Sequence, residues 1–384
     1  MKAILNYLGG YLKHVDKILP IICIGLSIFS VFLTKTMTYD AMEYAIQEKG
    51  SVNTQVAACV LGILAALAIS LVNYKLISKL WFVYTPIALI LQFLLFTPLA
   101  IKRDDDIAWL KFGAITIQPS EILKFAFILT LATHISWLGD RLNSPKHLIP
   151  VLAHGLFPVG LIIIQGDAGS ALVFLFILIC MLFMAGISWK YIVAGIAAVP
   201  PVLYVAWNYI MKPHHRNRVL ILFDKEMQEQ ERRGGIFYQQ YNGTVALGSG
   251  QLKGLGFDAS NYTYIIEGRN DYIFSYIGMT LGFIGCMCVV IALAVMCLKL
   301  LSDASGAQDM LGKLICIGVF AMVFFHCVIN LGMVLCVTPV VGIPLPFVSQ
   351  GGTSMLMMHA CMGLVLSVTA HREKPKHMFY TEKD

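Results

Sequence analysis

The sequence predicts an all-α, polytopic membrane protein with ten transmembrane helices and one large extracytoplasmic loop between helices 7 and 8. Composition is the first reason: 58% of the 384 residues are hydrophobic and 13% are charged, whereas about 25% of the residues of a soluble domain are charged. The second reason is a series of apolar runs of about 20 residues, the length that spans a bilayer as a helix. The third is that one long polar stretch, residues 212–271, interrupts this series.

The apolar runs follow one another along the chain, which is interpreted as a single transmembrane domain, residues 1–384. Some runs contain Pro or Gly, which spanning helices tolerate. No convincing small-residue cleavage site follows the first run, so we predict a spanning helix there rather than a signal peptide. Only Ser188–Lys190 separates the sixth run from the seventh, and this boundary is soft. The ten candidate spans are 18–34, 55–73, 80–101, 121–138, 148–165, 168–187, 189–211, 272–299, 311–338 and 352–370.

The Lys and Arg residues of the short loops predict the orientation in the membrane. An even number of spans places both termini on one side, and the short loops of that side carry more of these residues than the loops opposite. Both termini are therefore predicted to be cytoplasmic, and residues 212–271 to lie outside the cytoplasmic (plasma) membrane. The formal charge of +6 is attributed to loops that face anionic lipid, and no nucleic acid is expected as a partner.

The sequence carries no P-loop, no dinucleotide fingerprint in a useful context and no Cys/His metal spacing. The ten cysteines lie in or beside apolar runs and are interpreted as small buried hydrophobes. No cofactor is predicted. Asp104–Asp106 could bind a divalent cation, although a run of like charges is more often solvated. An enzyme that acts outside the membrane without a nucleotide needs a substrate that carries its own activation.

The long polar stretch ends at Arg269-Asn270-Asp271, directly before an apolar run. A carboxylate is costly to place near hydrocarbon, so this position requires an explanation. Two interpretations are open for Asp271. It caps the next helix, because Asp favours a helix N-terminus, or it performs chemistry at the membrane surface.

A second motif places charge inside an apolar run. Pro119-Ser120-Glu121 is typical of a helix start, and Lys124 follows one turn further in. An intramembrane lysine usually needs a carboxylate partner, and Glu121 and Asp167 are the candidates. Asp167 lies in a tight Gly-rich turn and could instead cap the sixth helix. We expect a polar cluster of Glu121, Lys124 and Asp167 that faces a cavity open towards Asp271.

Residues 214–218 and 242–256 of the long polar stretch combine arginines with a Gly-rich backbone. Both features suit phosphate, because guanidinium groups pair with its oxygens and glycines let the backbone approach it. A solvated basic loop is the alternative interpretation.

The stretch from Asn330 to Ser354 predicts non-helical backbone, because prolines and a Gly pair interrupt it. Such backbone is tolerated at membrane depth only inside protein or along a cavity. This stretch resembles the signature of the SEDS family of shape, elongation, division and sporulation proteins, which includes RodA, FtsW and SpoVE. Other motifs agree with that family in order and spacing: Gln118–Glu121 with Lys124, Gln165–Ala171, Arg216–Phe223, Ala246–Phe257 and Asn270–Phe274.

The chain departs from the family pattern at several motif positions, although the predicted fold is unaffected. The departures are Gly166 for Pro, Gln350 for Tyr, Asn270 for Thr, Met279-Thr280 for Glu-Glu, Leu255 for Lys (with Lys253 close by) and Ala108 before Trp109 for Arg.

The resemblance implies a peptidoglycan glycosyltransferase that polymerises lipid II in elongation, division or sporulation, usually with a class B penicillin-binding protein as partner. This substrate is membrane-anchored, faces outward and carries its own pyrophosphate leaving group. Two alternative functions stay open. Intramembrane charges would suit a lipid II flippase, and the departure at Met279-Thr280 is compatible with a catalytically silent scaffold of a division or elongation complex.

The resemblance also implies roles for individual residues. Asp271 stands at the family's catalytic aspartate and is expected to act as the general base. Lys124, Arg216 and Arg218 are expected to stabilise the developing pyrophosphate charge. The complete set of expected substrate-binding residues is Trp109, Glu121, Lys124, Asp167, Arg216, Arg218, Lys253 and Ser349.

Overall fold

The computed structural model describes residues 15–40, 49–103, 106–113, 115–235, 237–257, 262–263, 265 and 267–372. Its architecture is a bundle of apolar helices that carries a small β-sheet and a group of short polar helices at one end. In chain order the elements are α1 (Ile18–Asp40), α2 (Lys49–Leu71), α3 (Tyr74–Lys79), α4 (Trp81–Phe93), β1 (Ala100–Arg103), β2 (Asp106–Phe112), β3 (Ile115–Ile117), α5 (Pro119–Leu138), α6 (Pro145–Ile164), α7 (Ala168–Met184), α8 (Trp189–Val205), α9 (Pro213–Leu220), α10 (Lys225–Glu231), α11 (Tyr238–Ser249), α12 (Ile273–Ser305), α13 (Met310–Val334) and α14 (Gly352–Ala370).

The apolar helices confirm the predicted membrane fold. Within the described part of the chain, eight helices are long and apolar enough to cross a membrane. Two shorter apolar helices, Trp81–Phe96 and Ala168–Met184, lie at the third and sixth predicted runs. Each predicted run therefore coincides with an apolar helix, although the ends differ by up to eight residues and the last two residues of the third run, 100–101, belong to β1. The number of ten spans stays a prediction, because the two short helices fall below the spanning length.

Helices α13 and α14 form the centre of the bundle. Helices inside a membrane associate by close packing, to which small residues contribute, and two glycines show this here. A Cβ at Gly363 of α14 would lie 2.7 Å from the carbonyl oxygen of Ala66 in α2, and one at Gly318 of α13 would lie 2.7 Å from Cγ2 of Ile128. Helix α8 has no buried residue and therefore lies at the periphery.

A three-stranded antiparallel sheet of β1, β2 and β3, which was not predicted from the sequence, connects α4 to α5. Trp109 of β2 lies opposite Ile101, and Leu110 lies opposite Ile117. Leu110 is the one buried residue of β2, so the strand lacks the alternation of apolar and polar residues that would have indicated it. Helix α5 begins at Pro119, as predicted.

The polar stretch between α8 and α12 is largely folded rather than an open loop. It contains α9, α10 and α11, which we call the polar cap. Helix α11 lies against the first turns of α12 so closely that a Cβ at Gly250 would come 1.8 Å from the carbonyl oxygen of Gly278. Further along, α12 bends at Gly282, which has φ 66° and ψ −163°. A side chain there would meet the backbone nitrogen of Gly254 at 2.4 Å, so the bend makes room for the chain that leaves the cap.

Candidate functional site

The segment that carries Asp271 is held in place by hydrogen bonds to its backbone. Nδ2 of Asn330 donates to the carbonyl oxygens of Asp271 and Ile343, both at 2.8 Å. The hydroxyl of Ser349 donates to the carbonyl oxygen of Asn270 at 2.6 Å. Asn330 and Ser349 are both buried. Together they tie the end of the polar stretch to residues 339–351, the non-helical segment that the prolines predicted.

These contacts give Ser349 a role that differs from the expected one. Its hydroxyl also accepts a hydrogen bond from the backbone nitrogen of Leu345 at 2.8 Å. A hydroxyl has one proton to donate, and here that proton is used on Asn270. The structure therefore places Ser349 as a support of the Asp271 segment, and its direct contact with substrate stays a prediction.

The side chain of Asp271 does not cap α12. The N-cap position is Tyr272, and no side-chain capping bond is present. Among the described residues, neither carboxylate oxygen of Asp271 takes part in a hydrogen bond or an ion pair. Gly342 lies across the site, where an added Cβ would be 3.6 Å from Oδ2 of Asp271. The capping interpretation is therefore wrong, and the carboxylate is available for chemistry.

The surroundings of Asp271 change its acidity. Burial, and then the charge of Glu267, raises the pKa of Asp271 to about 7. The side chain nevertheless keeps partial exposure to solvent. A carboxylate with these properties can accept a proton near neutral pH, because a general base works best when its pKa lies near the working pH.

A buried ion pair lies in the helix bundle near this site. Nζ of Lys124 lies 2.7 Å from Oε1 of Glu121, and their side chains are 1% and 3% exposed. Nε2 of His326, on α13, lies 3.1 Å from the same Nζ, and Nδ1 of His326 lies 3.1 Å from the carbonyl oxygen of Pro344. A carbonyl only accepts, so Nδ1 carries the imidazole proton and Nε2 accepts from Lys124. The cluster is thereby linked to the non-helical segment.

The composition of this cluster corrects the prediction. Within the described part of the chain, no ion pair joins Lys124 to Asp167, and His326 takes the expected third place. Asp167 instead caps α7, accepting from the backbone nitrogen of Ser170 at 2.9 Å, and it also accepts from Nε2 of Gln118 at 3.4 Å. His326 was not predicted as a member of this cluster. Its spacing of one helical turn before Asn330, which puts both on one face of α13, was the available signal.

The turn at Asp167 reaches the site by another route. A Cβ at Gly169 would lie 2.4 Å from the carbonyl oxygen of Val341, so the start of α7 touches the segment that faces Asp271. The backbone nitrogen of Ile107 in β2 donates to the carbonyl oxygen of Gln165 at 2.9 Å, which joins the small sheet to the same turn. Trp109 is on that strand and is half-buried.

Arg216 and Arg218, two basic residues of the polar cap, contact different parts of the protein. Arg218 donates through Nη1 to the carbonyl oxygen of Val340 at 3.3 Å, which places its charge beside the Asp271 site. Burial, and then Asp167, raises the pKa of Asp106, and Arg218 is the first of the cations that oppose this shift. Arg216 points back towards α8, because it donates to the carbonyl oxygens of Met211 at 3.0 Å and Asn208 at 3.1 Å. Arg218 is therefore the arginine of this pair that lies at the site.

Lys253 lies further away. It is exposed, on the turn that follows α11, and the neighbouring Gly254 packs against Thr280. Thr280 is nine positions after Asp271, which corresponds to about 14 Å along a helix. No group of three or more His, Cys, Asp or Glu side chains in the described residues could hold a metal ion. Asp104 and Asp105 lie outside the described residues, so the possible cation site at Asp104–Asp106 stays a prediction.

Comparisons with known proteins give a consistent result. Residues 17–374 match the sequence model of the family described as cell cycle protein, which covers FtsW, RodA and SpoVE. Peptidoglycan glycosyltransferase MrdB of Escherichia coli is 30% identical over 268 residues, which are 69% of this chain and 71% of that protein. Stage V sporulation protein E of Bacillus subtilis is 29% identical over 318 residues, 81% of this chain and 84% of its own.

Two solved structures share the fold. The chain resembles the rod shape determining protein RodA of Thermus thermophilus with a TM-score of 0.67 at 22% identity, over 94% of this chain and 98% of that one. It also resembles a chain from a peptidoglycan synthase complex, described as coordinating polymerization and crosslinking, with a TM-score of 0.78 at 23% identity, over 94% and 99% of the two chains.

Proposed function

The chain belongs to the FtsW/RodA/SpoVE family of cell cycle proteins, the SEDS family, and on that premise we propose that it is a peptidoglycan glycosyltransferase. Similar proteins of Escherichia coli and Bacillus subtilis carry that activity in their names. The substrate that we assign is lipid II, which the enzyme polymerises into glycan strands at the outer face of the cytoplasmic membrane. The proposal covers elongation, division and sporulation alike as the cellular process in which the enzyme acts.

The reaction needs a base, a leaving group and a cation. The hydroxyl of the acceptor sugar attacks the anomeric carbon of the growing chain, and the bond from that carbon to the lipid pyrophosphate breaks. Asp271 takes the proton of the hydroxyl as the new glycosidic bond forms. The pyrophosphate leaves with the bonding electrons, and we assign the stabilisation of its negative charge to Arg218, which donates to the backbone of the segment that faces Asp271.

The observation that carries this proposal is the state of Asp271. The carboxylate is fixed through its backbone by Asn330, has no partner for its oxygens among the described residues, and has a pKa of about 7. A structural aspartate would be paired or would cap a helix, because an unpaired buried carboxylate is costly. Lys124 differs from Asp271, because its ammonium group already donates hydrogen bonds to Glu121 and His326. We therefore assign Lys124 mainly to structure.

The partner and the location are further parts of the proposal. A class B penicillin-binding protein would cross-link the strands that this protein makes, and the resemblance to a chain of a peptidoglycan synthase complex supports that assignment. We place the polar cap and Asp271 outside the cytoplasmic membrane and both termini inside. The distribution of Lys and Arg in the short loops supports this orientation.

The test is polymerisation by the purified, full-length protein in detergent. Wild type is supplied with lipid II, with and without a cognate class B penicillin-binding protein, and the products are separated by size. Asp271→Asn keeps the shape of the side chain but removes its basicity, so the rate should fall by about 10²–10⁴. Normal polymerisation by Asp271→Asn would refute the assignment of the base.

The same preparation tests the two alternatives. Reconstitution into vesicles with labelled lipid II measures transfer between leaflets, and transfer without polymer would identify a flippase. A protein that thermal unfolding shows to be folded, but that makes no polymer and transfers no lipid II, would be identified as a catalytically silent scaffold. The buried ion pair gives the flippase no support, because Lys124 and Glu121 are closed on each other rather than arranged along a path.

A further inference from the structure

A polar cavity lies in the polar cap, between α10 and the start of α11. Its volume is about 560 Å³, and its lining residues are Glu229, Arg232, Arg233, Tyr238, Tyr241 and Asn242. Cavities of about 300–1,000 Å³ are usual for small-molecule sites. None of these residues belongs to the Asp271 site.

Helix α11 connects this cavity to the Asp271 site through its two opposite faces. At 3.6 residues per turn, Tyr238, Tyr241 and Asn242 share one face, and Gln240 and Gly243 lie on the other. Nε2 of Gln240 donates to the carbonyl oxygens of Met333 and Thr338, both at 3.0 Å. The face of α11 that carries Gln240 therefore packs against the end of α13 and the residues that follow it.

The second contact of that face is with the residue after Asp271. A Cβ at Gly243 would lie 2.6 Å from Cδ1 of Tyr272. A helix with its side chains is about 10 Å across. The cavity is thus separated from Tyr272 by about the width of α11, which is too far for the reacting sugar and suitable for a polymer attached to it.

The charge of the cavity favours an anionic ligand. Arg232 and Arg233 supply two guanidinium groups, and Glu229 supplies one carboxylate, at 3.3 Å from Nη1 of Arg232. Arg232 lies over the ring of Tyr241, 4.1 Å from its centroid, and donates to its hydroxyl. Arg233 is exposed and has no ion pair or hydrogen bond within the described residues.

The contacts that Arg232 makes within the cavity contribute little to the stability of the fold. An exposed ion pair such as Arg232–Glu229 contributes little stability. By contrast, arginine forms paired hydrogen bonds with carboxylates. Aromatic rings and an amide, here Tyr238, Tyr241 and Asn242, supply the apolar and polar walls of a ligand site.

We propose that this cavity binds the carboxylate-bearing glycopeptide of the strand already made. The proposal rests on the proposed function, which supplies a polymer of sugars with acidic peptide side chains next to α11. Arg232 and Arg233 bind a peptide carboxylate, and the tyrosines contact the sugar. The cavity holds the strand near Asp271 between successive additions, so that strands grow longer before they leave.

Binding and strand length test the proposal together. The probes are a fluorescent soluble disaccharide-pentapeptide, N-acetylglucosaminyl-N-acetylmuramyl-pentapeptide, and the same compound with its carboxyl groups amidated. The proteins are full-length wild type, the double variant Arg232→Gln/Arg233→Gln, and the matched control Lys225→Gln, an exposed charge of α10 outside the cavity. Fluorescence anisotropy gives affinities in detergent, and electrophoresis gives the lengths of strands made from lipid II.

We expect wild type and Lys225→Gln to bind the acidic probe alike. The double variant, or amidation of the probe, should weaken binding about tenfold, the value of charge-assisted hydrogen bonds. The mean strand length should fall in the double variant and not in the control. Equal affinity or equal strand length in a double variant with wild-type thermal stability would overturn the proposal. Tighter binding of a polyglutamate peptide than of the glycopeptide would overturn it too, since the cavity would then fit an acidic protein segment.

Failure of the cavity and failure of the proposed function give different results. If wild type binds the acidic probe through Arg232 and Arg233 but makes no polymer, the cavity is supported and the glycosyltransferase is refuted. If wild type makes polymer but the double variant makes strands of the same length, the glycosyltransferase stands and the cavity is refuted.

Discussion

Nδ2 of Asn330 lies 2.8 Å from the backbone carbonyl oxygen of Asp271, and this bond fixes a residue whose carboxylate has no hydrogen bond or ion pair among the described residues. The same amide holds Ile343 at 2.8 Å. One side chain in the core of α13 thus sets the distance between the Asp271 segment and the segment that faces it. The position of the base depends on this bond, while its acidity depends on burial.

Removal of this amide should displace the base. Asn330→Ala leaves the carbonyl oxygens of Asp271 and Ile343 without their donor, and we expect a loss of about 1–3 kcal/mol in the free energy of unfolding. Polymerisation of lipid II should fall more than stability accounts for. Asn143→Ala is the control, because Asn143 also joins two backbone segments, near Gly186 and Ser188, but on a loop at the other end of the bundle. Equal activity of both variants would show that Asn330 has no positioning role.

The rate of polymerisation should depend on pH through Asp271. Only the deprotonated carboxylate can accept a proton, and the pKa of Asp271 is about 7. Activity should therefore be full above that value and should fall about tenfold per pH unit below it. The measurement is kcat/KM for lipid II from pH 5 to 9, with protein that stays folded across the range. A profile that is flat down to pH 5 would contradict the raised pKa.

The same pKa makes a prediction about stability. The pKa of Asp271 is raised from its ordinary value in the folded protein, so folding favours the protonated form. The contribution of this group to stability is complete below its unfolded pKa and is lost as the pH rises through about 7. Asp271→Asn, which is always neutral, should be more stable than wild type at pH 8, by up to about 4 kcal/mol, and similar at low pH. Thermal unfolding at both pH values measures this, and a variant less stable than wild type at pH 8 would contradict it.

The stability of the protein should depend on whether one or both charges of the buried Lys124–Glu121 pair are removed. Lys124→Met leaves the carboxylate of Glu121 buried without its cation, and breaking such a pair costs about 3–5 kcal/mol. The double variant Lys124→Met/Glu121→Gln should recover much of that loss. Thermal stability and lipid II binding are measured on the same samples. Loss of binding with unchanged stability in Lys124→Met would instead make Lys124 a pyrophosphate ligand.

The orientation in the membrane can be tested by labelling. In a variant that lacks the native cysteines, Gln239→Cys on α11 should react with a membrane-impermeant reagent in intact cells. Lys376→Cys, near the C-terminus, should react only after the cells are permeabilised. The reverse pattern would place the polar cap and Asp271 in the cytoplasm and would exclude an extracytoplasmic enzyme.

Sequence reasoning succeeded where one residue or one run decides the outcome. The apolar runs gave the spanning helices, because backbone groups in lipid must be satisfied within the helix, and length and composition suffice to show this. Glu121 and Lys124 were paired correctly, because residues three apart meet on one helix face. The prolines after Asn330 correctly predicted non-helical backbone, because proline cannot continue a helix.

Sequence reasoning failed where residues distant along the chain compete for one place. His326 and Asp167 are 202 and 43 positions from Lys124, and spacing cannot rank them. The structure gives the place to His326, since the close approach of α13 to α5 puts it there, while Asp167 is used at the start of α7. The small sheet was missed because strand pairing, rather than alternation, defines it.

The sequence by itself determined the membrane fold, the family and the identity of Asp271 as the residue to examine. Only the tertiary structure decided that Asp271 does not cap α12, that its pKa lies near 7, and that Arg218 rather than Arg216 contacts the segment that faces it. The physical reason is that composition and local spacing act through a residue's own segment. Acidity and partner choice depend on burial and on charges that other segments bring to the site.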